Sequence, residues 1–140
     1  MGQMYFPGEL ENDCSAEIEK IWIEHNESEY GEKGMRIHVA CDIHGLQNKQ
    51  VNLSVYFYYA TDNPIIDTNN KYCTSDGHVA TNRYVTPPYD NCHYSDLSIF
   101  MPYKEFHIFH ECTCYFYILI WNGETKIGTS KKVGFYLGYG

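Results

Sequence analysis

Basic residues are scarce in this chain, and those present do not cluster. The 140 residues include 10 Lys and Arg against 18 Asp and Glu, which gives a formal net charge of -8. The densest basic stretch is the pair Lys131-Lys132. Proteins that bind the phosphate backbone of nucleic acids present a basic patch, and anionic membrane surfaces attract the same kind of patch. The composition therefore argues against nucleic acid and an anionic membrane as partners.

Long apolar runs are also missing. No stretch approaches the ~20 apolar residues that a membrane-spanning helix needs. The N-terminal segment MGQMYFPGELENDC lacks the basic and apolar regions of a secretory signal, and Phe6 stands where a myristoylation motif has Ser or Thr. We therefore predict no membrane span and a cytoplasmic location.

Signatures of catalysis are absent as well. The chain has no glycine-rich phosphate loop, no G-x-S-x-G, no H-E-x-x-H and no Cys-x-x-Cys. Cys92 and His93 are adjacent, so on an extended chain they point apart and cannot pair directly as nucleophile and base. We predict that the protein is not an enzyme.

Six cysteines stand at positions 14, 41, 73, 92, 112 and 114. Free thiols are the expectation for a cytosolic chain, whereas an extracellular chain would pair them. The segment HIFHECTC offers zinc two imidazoles and two thiolates. Sulfurs two residues apart on a strand are expected about 6.5–7 Å apart, which is too far for one ion without bending the backbone. We favour Cys41, Cys112 and Cys114 as buried core thiols, with the histidines at a loop edge, and expect no cofactor.

Aromatic residues, by contrast, are abundant. They make up 16% of the chain, with 14 tyrosines, whereas Leu and Ala are few. Strands favour aromatic and β-branched residues, and helices favour Leu and Ala. The segments MRIHVACDI and VNLSVYFYY alternate apolar and polar residues with the strand period, and a short polar loop joins them. We predict that these two strands form an antiparallel hairpin.

Further strands are predicted in EIEKIWIEHN, HVATNRYV, LSIFMPY, HECTCYFYILIW and residues 133–137, with TPPYDNCHYSD as an irregular loop. Seven to nine short strands with turns about every 8 to 12 residues predict an all-β fold, a two-layer antiparallel β-sandwich with an Ig-like arrangement; a barrel is the alternative. Residues 1–15 are predicted as an extended lead-in and 16–140 as a single sandwich domain. Pro102 is expected to end a strand at a corner, with Tyr103 folded back onto the adjoining loop.

Three segments carry a resemblance: GMRIHV, DTNNKYCTSDGHV and TPPYDNCHYSDLSIFMPYKEFH. They resemble an uncharacterised bacterial domain of Bacteroidetes and similar lineages, which occurs alone or attached to tetratricopeptide, zinc-ribbon or caspase-like modules. Its pattern is similar to D-x-N-G-x-Y-x-T-x-D-G-x-V and then T-P-x-Y-x-N-x-x-Y-x-D-x-x-x-F-M-P-Y-x-E-L-H. This chain departs at Asn70, where Gly is usual, and at Phe106, where Leu is usual. The resemblance covers residues 18–137 and implies an accessory β-sandwich module without a known substrate.

The Asp and Asn residues that follow segment 51–59 allow two interpretations. Asp62, Asp67, Asn69 and Asp76 could line a Ca²⁺ loop, as in a C2-like calcium-dependent module at a membrane. The run lacks the order of an EF-hand loop, and tight turns require the same residue types. We favour successive turns in which Asp67 and Asp76 bond backbone amides, and keep the calcium site as the alternative.

Segments 51–59 and 112–121 are apolar or aromatic on both faces. A sheet of a two-layer sandwich buries one face, so the second needs cover from residues 1–16, a second copy or a partner. Because Tyr and Trp dominate interface energetics, this face is the best candidate binding surface, with Tyr56, Tyr58, Tyr115, Tyr117 and Trp121 as its residues. We predict a non-enzymatic binding or accessory module, acting by protein–protein contact or self-association; a carbohydrate-binding sandwich is a further alternative.

Overall fold

The computed structural model describes residues 14–67, 71–75, 77–108 and 110–138. Regular structure in them is almost entirely strand. The elements are β1 (Ser15–Glu29), β2 (Glu32–His44), β3 (Val51–Tyr59), β4 (Ala80–Val85), β5 (Asn91–Pro102), a 3₁₀ helix (Tyr103–Phe106), β6 (Cys112–Asn122), β7 (Thr125–Thr129) and β8 (Val133–Leu137). The predicted lead-in lies almost wholly outside the described residues and stays a prediction.

Two antiparallel sheets face each other. The first has the strand order β1-β2-β5, and the second has the order β4-β3-β6-β7, with β8 also paired to β6. The predicted all-β, two-layer antiparallel sandwich is confirmed, with eight strands among the described residues.

The predicted hairpin between β2 and β3 is wrong, because the two strands lie in different sheets. Residues 45–50 cross from one layer to the other. Backbone hydrogen bonds hold this crossing against the segment before β5: Gly45 N donates to Asp90 O at 2.7 Å, and Asn48 N donates to Pro87 O at 2.7 Å. Both strands alternate because each turns one face to the shared core, and alternation alone does not identify the pairing partner.

The core lies between the two sheets. On the second sheet it contains the predicted inner faces of β3 and β6, which are Val51, Leu53, Val55, Phe57, Cys114, Phe116, Ile118 and Ile120, all essentially inaccessible to solvent. Phe57 is central: its ring meets those of Phe106 and Phe135 edge-on at centroid distances of 4.8 and 6.0 Å. Such edge-to-face pairs stabilise a core beyond simple area burial.

Two strands and one side chain differ from the sequence-based expectation. β7 was not predicted, and β5 begins at Asn91, inside the segment predicted as an irregular loop. Pro102 ends β5 as expected, and the 3₁₀ helix forms the corner. Tyr103 does not fold onto the adjoining loop; its hydroxyl instead accepts a hydrogen bond from Asn26 N of β1 at 2.9 Å.

In the part of the chain described, no helix is long and apolar enough to span a membrane.

Candidate functional site

The register between β3 and β6 brings four tyrosines together. Tyr56 lies opposite Tyr117, and Tyr58 lies opposite Tyr115. Their sequence neighbours face the core, so strand alternation directs these four side chains outward. All four are half-buried. We call Tyr56, Tyr58, Tyr115 and Tyr117 the tyrosine face.

The rings of the tyrosine face pack on one another. Tyr58 stacks with Tyr115 at 5.1 Å and an interplanar angle of 8°, and with Tyr117 at 5.2 Å and 26°. The Tyr58 and Tyr117 hydroxyls are hydrogen-bonded at 2.6 Å. Burial, followed by this hydrogen bond, raises the pKa of the Tyr58 hydroxyl above its ordinary value. The cluster is therefore a neutral, ordered aromatic surface.

Polar groups fix the cluster at its ends. The Tyr115 hydroxyl donates to Asp62 at 2.8 Å, and Lys132 Nζ lies 4.4 Å from the Tyr115 ring centroid while donating to the same carboxylate at 3.1 Å. The hydrogen bonds from Tyr115 and Lys132 lower the pKa of Asp62. At the other end the His78 ring lies 4.7 Å from that of Tyr58, and its Nε2 contacts the Phe57 carbonyl oxygen at 2.7 Å. These contacts orient the rings before any partner binds.

Trp121, the fifth predicted binding residue, lies apart from the cluster. It is half-buried and pairs with Asn52, four residues beyond Tyr117 along β6. Among the described residues it makes no ring contact with the tyrosine face. The structure thus groups four of the five predicted residues.

A polar groove of about 770 Å³ adjoins the tyrosine face at Tyr56. It runs along β4 towards the outer face of β5, and its lining is rich in amide, hydroxyl and basic groups. Arg83 lines it and donates to the Ser98 carbonyl at 2.9 Å. Arg36, which pairs with Glu29 at 3.1 Å, also lines the groove. The groove therefore offers hydrogen-bonding groups next to an aromatic surface.

Asp62 and Asp67, the two calcium candidates that the structure describes, have different partners. Asp62 bonds Tyr115 and Lys132, whereas Asp67 accepts from the Tyr72 backbone amide at 3.3 Å, as the turn interpretation predicts. Asn69 and Asp76 lie outside the described residues, so their part in either interpretation stays a prediction.

Sequence reasoning missed a buried His–carboxylate cluster. Asp67 Oδ1 lies 2.7 Å from His107 Nε2, and Glu105 Oε1 lies 3.7 Å from the same nitrogen. The Asp67 and Glu105 side chains are 0% and 4% exposed, and that of His107 is 19% exposed. The segments DTNN and MPYKEFH both contribute residues, but nothing in their spacing indicated that they meet.

The residues of the zinc alternative, which the sequence did not favour, are not assembled as a unit. His107 turns to Asp67, and His110 Nδ1 contacts the Glu111 carbonyl oxygen at 3.0 Å. The Cys112 and Cys114 sulfurs lie 3.6 Å apart, so the expected separation of 6.5–7 Å is wrong; the side chains converge although the backbone stays extended.

The thiols follow the expectation for a reduced chain. All six cysteines are free. Cys41 and Cys114 are buried as predicted, and burial raises the pKa of each thiol to about 12. Cys112 is only half-buried, which contradicts the prediction of a core thiol. Cys92 and His93 point apart as predicted: the Cys92 thiol contacts the Tyr89 carbonyl, and His93 contacts Asp42.

Comparisons with known proteins add no assignment. No family model, no curated protein and no solved structure matches this chain. The resemblance to the bacterial domain therefore stays a prediction, and function is argued from the site itself.

Proposed function

We propose that the chain is a non-enzymatic binding module that contacts a protein partner through the tyrosine face. The observation that carries this proposal is the group of four adjoining, outward-directed tyrosines on β3 and β6. Tyrosine supplies a large amphipathic contact area with few rotatable bonds. Because the rings already hold one another in place, binding loses less side-chain entropy than it would with isolated rings.

The ring packing favours a protein partner over a sugar. A sugar that stacks on tyrosine needs a free ring face. Tyr58 stacks with both Tyr115 and Tyr117, and Lys132 lies over Tyr115. The surface therefore offers mainly ring edges and hydroxyls, which suit the mixed apolar and polar contacts of a protein interface.

The charge of the chain supports a basic partner. At a formal net charge of -8, two copies repel each other, whereas a basic protein is attracted during encounter. The nearest charges on the face, Asp62 and Lys132, neutralise each other, so the attraction acts at long range and the tyrosines supply the contact. Self-association through this face is the less favoured alternative.

The strand order supports the Ig-like interpretation. The order β1-β2-β5 would correspond to strands A-B-E, and β4-β3-β6-β7 to strands C′-C-F-G of an Ig-like sandwich. In this assignment the tyrosine face is the outer surface of the C-F pair. The free thiols support a reducing, cytoplasmic setting.

The test uses a variant with Tyr56, Tyr58 and Tyr117 replaced by Ser. The tagged wild-type chain is cross-linked in an extract of its native host at low salt, the partner is identified and purified, and its Kd is measured. We expect a basic partner whose affinity falls at least tenfold with the triple variant. Since Tyr58 and Tyr117 share a hydrogen bond, the single change Tyr56→Ala, with the fold checked by circular dichroism, supplies a milder second variant.

A matched control replaces three exposed tyrosines outside the face. Tyr84, Tyr89 and Tyr136 are 56%, 68% and 53% exposed, and their replacement by Ser should leave the affinity unchanged. Equal loss in the control, or equal binding by wild type and folded face variants, would contradict the proposal. A wild-type dimer that the face variants convert to monomer would instead establish self-association.

A further inference from the structure

We propose that Asp67, Glu105 and His107 bind a divalent transition-metal ion, with zinc as the best match. This metal site is independent of the proposed protein binding. The three side chains come from the segment after β3 and from the end of the 3₁₀ helix. Their candidate ligand atoms all lie within 4.8 Å of one another.

The spacing is close to that of a coordinated ion. Zinc ligands at about 2.0–2.2 Å in a tetrahedral arrangement lie about 3.4 Å from one another. The His107 nitrogen is 3.7 Å from the Glu105 oxygen and 2.7 Å from the Asp67 oxygen. Entry of an ion therefore requires Asp67 and His107 to separate by about 0.7 Å, a shift that small side-chain rotations can supply.

Burial distinguishes this cluster from an ordinary surface ion pair. Two carboxylates, 0% and 4% exposed, converge with one imidazole, and Asp67 Oδ2 also accepts from the Tyr72 amide. Buried carboxylates are found paired or coordinating a metal, and this set presents oxygen and imidazole donors together largely out of contact with bulk water. Glu19, Asp42 and His93 form a cluster with the same donor types. Their side chains are 50%, 22% and 56% exposed, so water solvates that charge.

The donor set indicates which ion fits. Imidazole suits zinc and other transition metals, whereas calcium takes oxygen ligands. Three protein ligands leave room for water in the fourth position. The His107 side chain is 19% exposed, which leaves a path from solvent.

A bound ion would also stabilise the segment that pairs with His78 beside the tyrosine face. Ile66, the residue before Asp67, pairs with His78 across an antiparallel bridge, and the His78 ring packs on Tyr58. An ion on Asp67 would therefore tie this segment to the 3₁₀ helix corner. Metal binding itself does not depend on whether the face has a partner.

The experiment titrates Zn²⁺ into the chelator-treated, reduced full chain by calorimetry. We expect one Zn²⁺ per chain, and an affinity at least tenfold lower for His107→Gln and for Asp67→Asn. The matched control His93→Gln removes the imidazole of the exposed cluster and should stay within twofold of wild type. Cys112→Ser tests the neighbouring thiol pair and should also leave binding unchanged.

Measurements on the wild-type chain guard against variants that fail to fold. X-ray absorption at the zinc edge should show one imidazole with oxygen ligands and no sulfur, and zinc should raise the melting temperature of wild type but not of a folded His107→Gln chain. Sulfur in the coordination shell, loss of binding in Cys112→Ser or His93→Gln, undiminished binding by His107→Gln, a preference for Ca²⁺, or no binding at all would each overturn the proposal.

Discussion

Tyr103 links the corner after β5 to an irregularity in β1, and its hydroxyl is the point of contact. It accepts from the Asn26 amide at 2.9 Å and is hydrogen-bonded to His25 Nδ1 at 2.8 Å. Asn26 has a φ of 61° and lies where the register between β1 and β2 shifts. At a bulge the extra residue has no partner in the ladder, so the hydroxyl satisfies an amide that the strand cannot. Tyr103→Phe removes that acceptor and keeps the ring.

The expected cost is about 1 kcal/mol of unfolding free energy. A net intramolecular hydrogen bond contributes about 0.5–1.5 kcal/mol, and the exposed position of this one allows water to replace part of it. Unfolding entropy is about 2.1 cal/mol/K per residue, so for 140 residues a loss of 1 kcal/mol lowers the melting temperature by about 3 °C.

The assay is urea and thermal unfolding followed by circular dichroism. Tyr89→Phe is the matched control, because the Tyr89 side chain is 68% exposed and should change stability by less than about 0.5 kcal/mol. A cycle with His25→Ala separates the histidine contact from the amide contact. If Tyr103→Phe is as stable as wild type, or no less stable than Tyr89→Phe, the hydroxyl is merely solvated and the reasoning fails.

Three further predictions concern a histidine, the core and the thiols. Burial lowers the pKa of His38, but the hydrogen bonds that its ring makes to two carboxylates, each at 2.7 Å, outweigh burial and raise the pKa overall. The stabilisation that protonated His38 gives the fold should therefore be complete below about pH 6.5 and lost as pH rises through the raised pKa. The melting temperatures of wild type and His38→Gln should converge from pH 5.5 to 8.5. A constant difference between them would contradict this. Phe57→Ala should cost about 3–5 kcal/mol in urea unfolding, and a cost under about 1.5 kcal/mol would mean that the core repacks. Rapid alkylation of the folded chain should label at most three cysteines, since Cys41, Cys92 and Cys114 are buried; labelling of these three within the same phase would show that the core opens.

Strand alternation predicts the buried elements well and the exposed ones poorly. The bounds of Val51–Tyr59 and Val133–Leu137 agree with the segments read from the sequence. β7 was not predicted because none of its residues is buried, so its sequence has no apolar alternation. The first half of β5 is mostly polar and exposed for the same reason. The error over β2 and β3 has another cause: a short polar loop can turn back within one sheet or cross to the other, and its length does not distinguish the two.

The candidate site also has one part that strand alternation predicts and another that it does not. Tyrosines on the outer faces of β3 and β6 follow from local alternation, but their stacking depends on the register that sets Tyr58 opposite Tyr115. Alternation fixes which face a residue occupies and leaves the register between strands open. The contact between Asp67 and His107 joins two irregular segments 40 positions apart. No periodic pattern connects such segments, so the buried cluster emerged only in three dimensions.

The crossing of residues 45–50 has a consequence for biosynthesis. β3 does not pair with β2, the strand that precedes it in the chain, and it can pair with β6 only after β6 has been synthesised. Tyr58 on β3 and its partner Tyr117 on β6 are 59 positions apart. At ribosomal rates of about 5–20 residues per second, that interval corresponds to roughly 3–12 s. During this time a strand with apolar or aromatic side chains on both faces has only the short β4 as a possible neighbour in its sheet. Unpaired apolar strands promote aggregation, so the nascent chain depends on late closure of the second sheet, and C-terminal truncations before β6 should be found in the insoluble fraction.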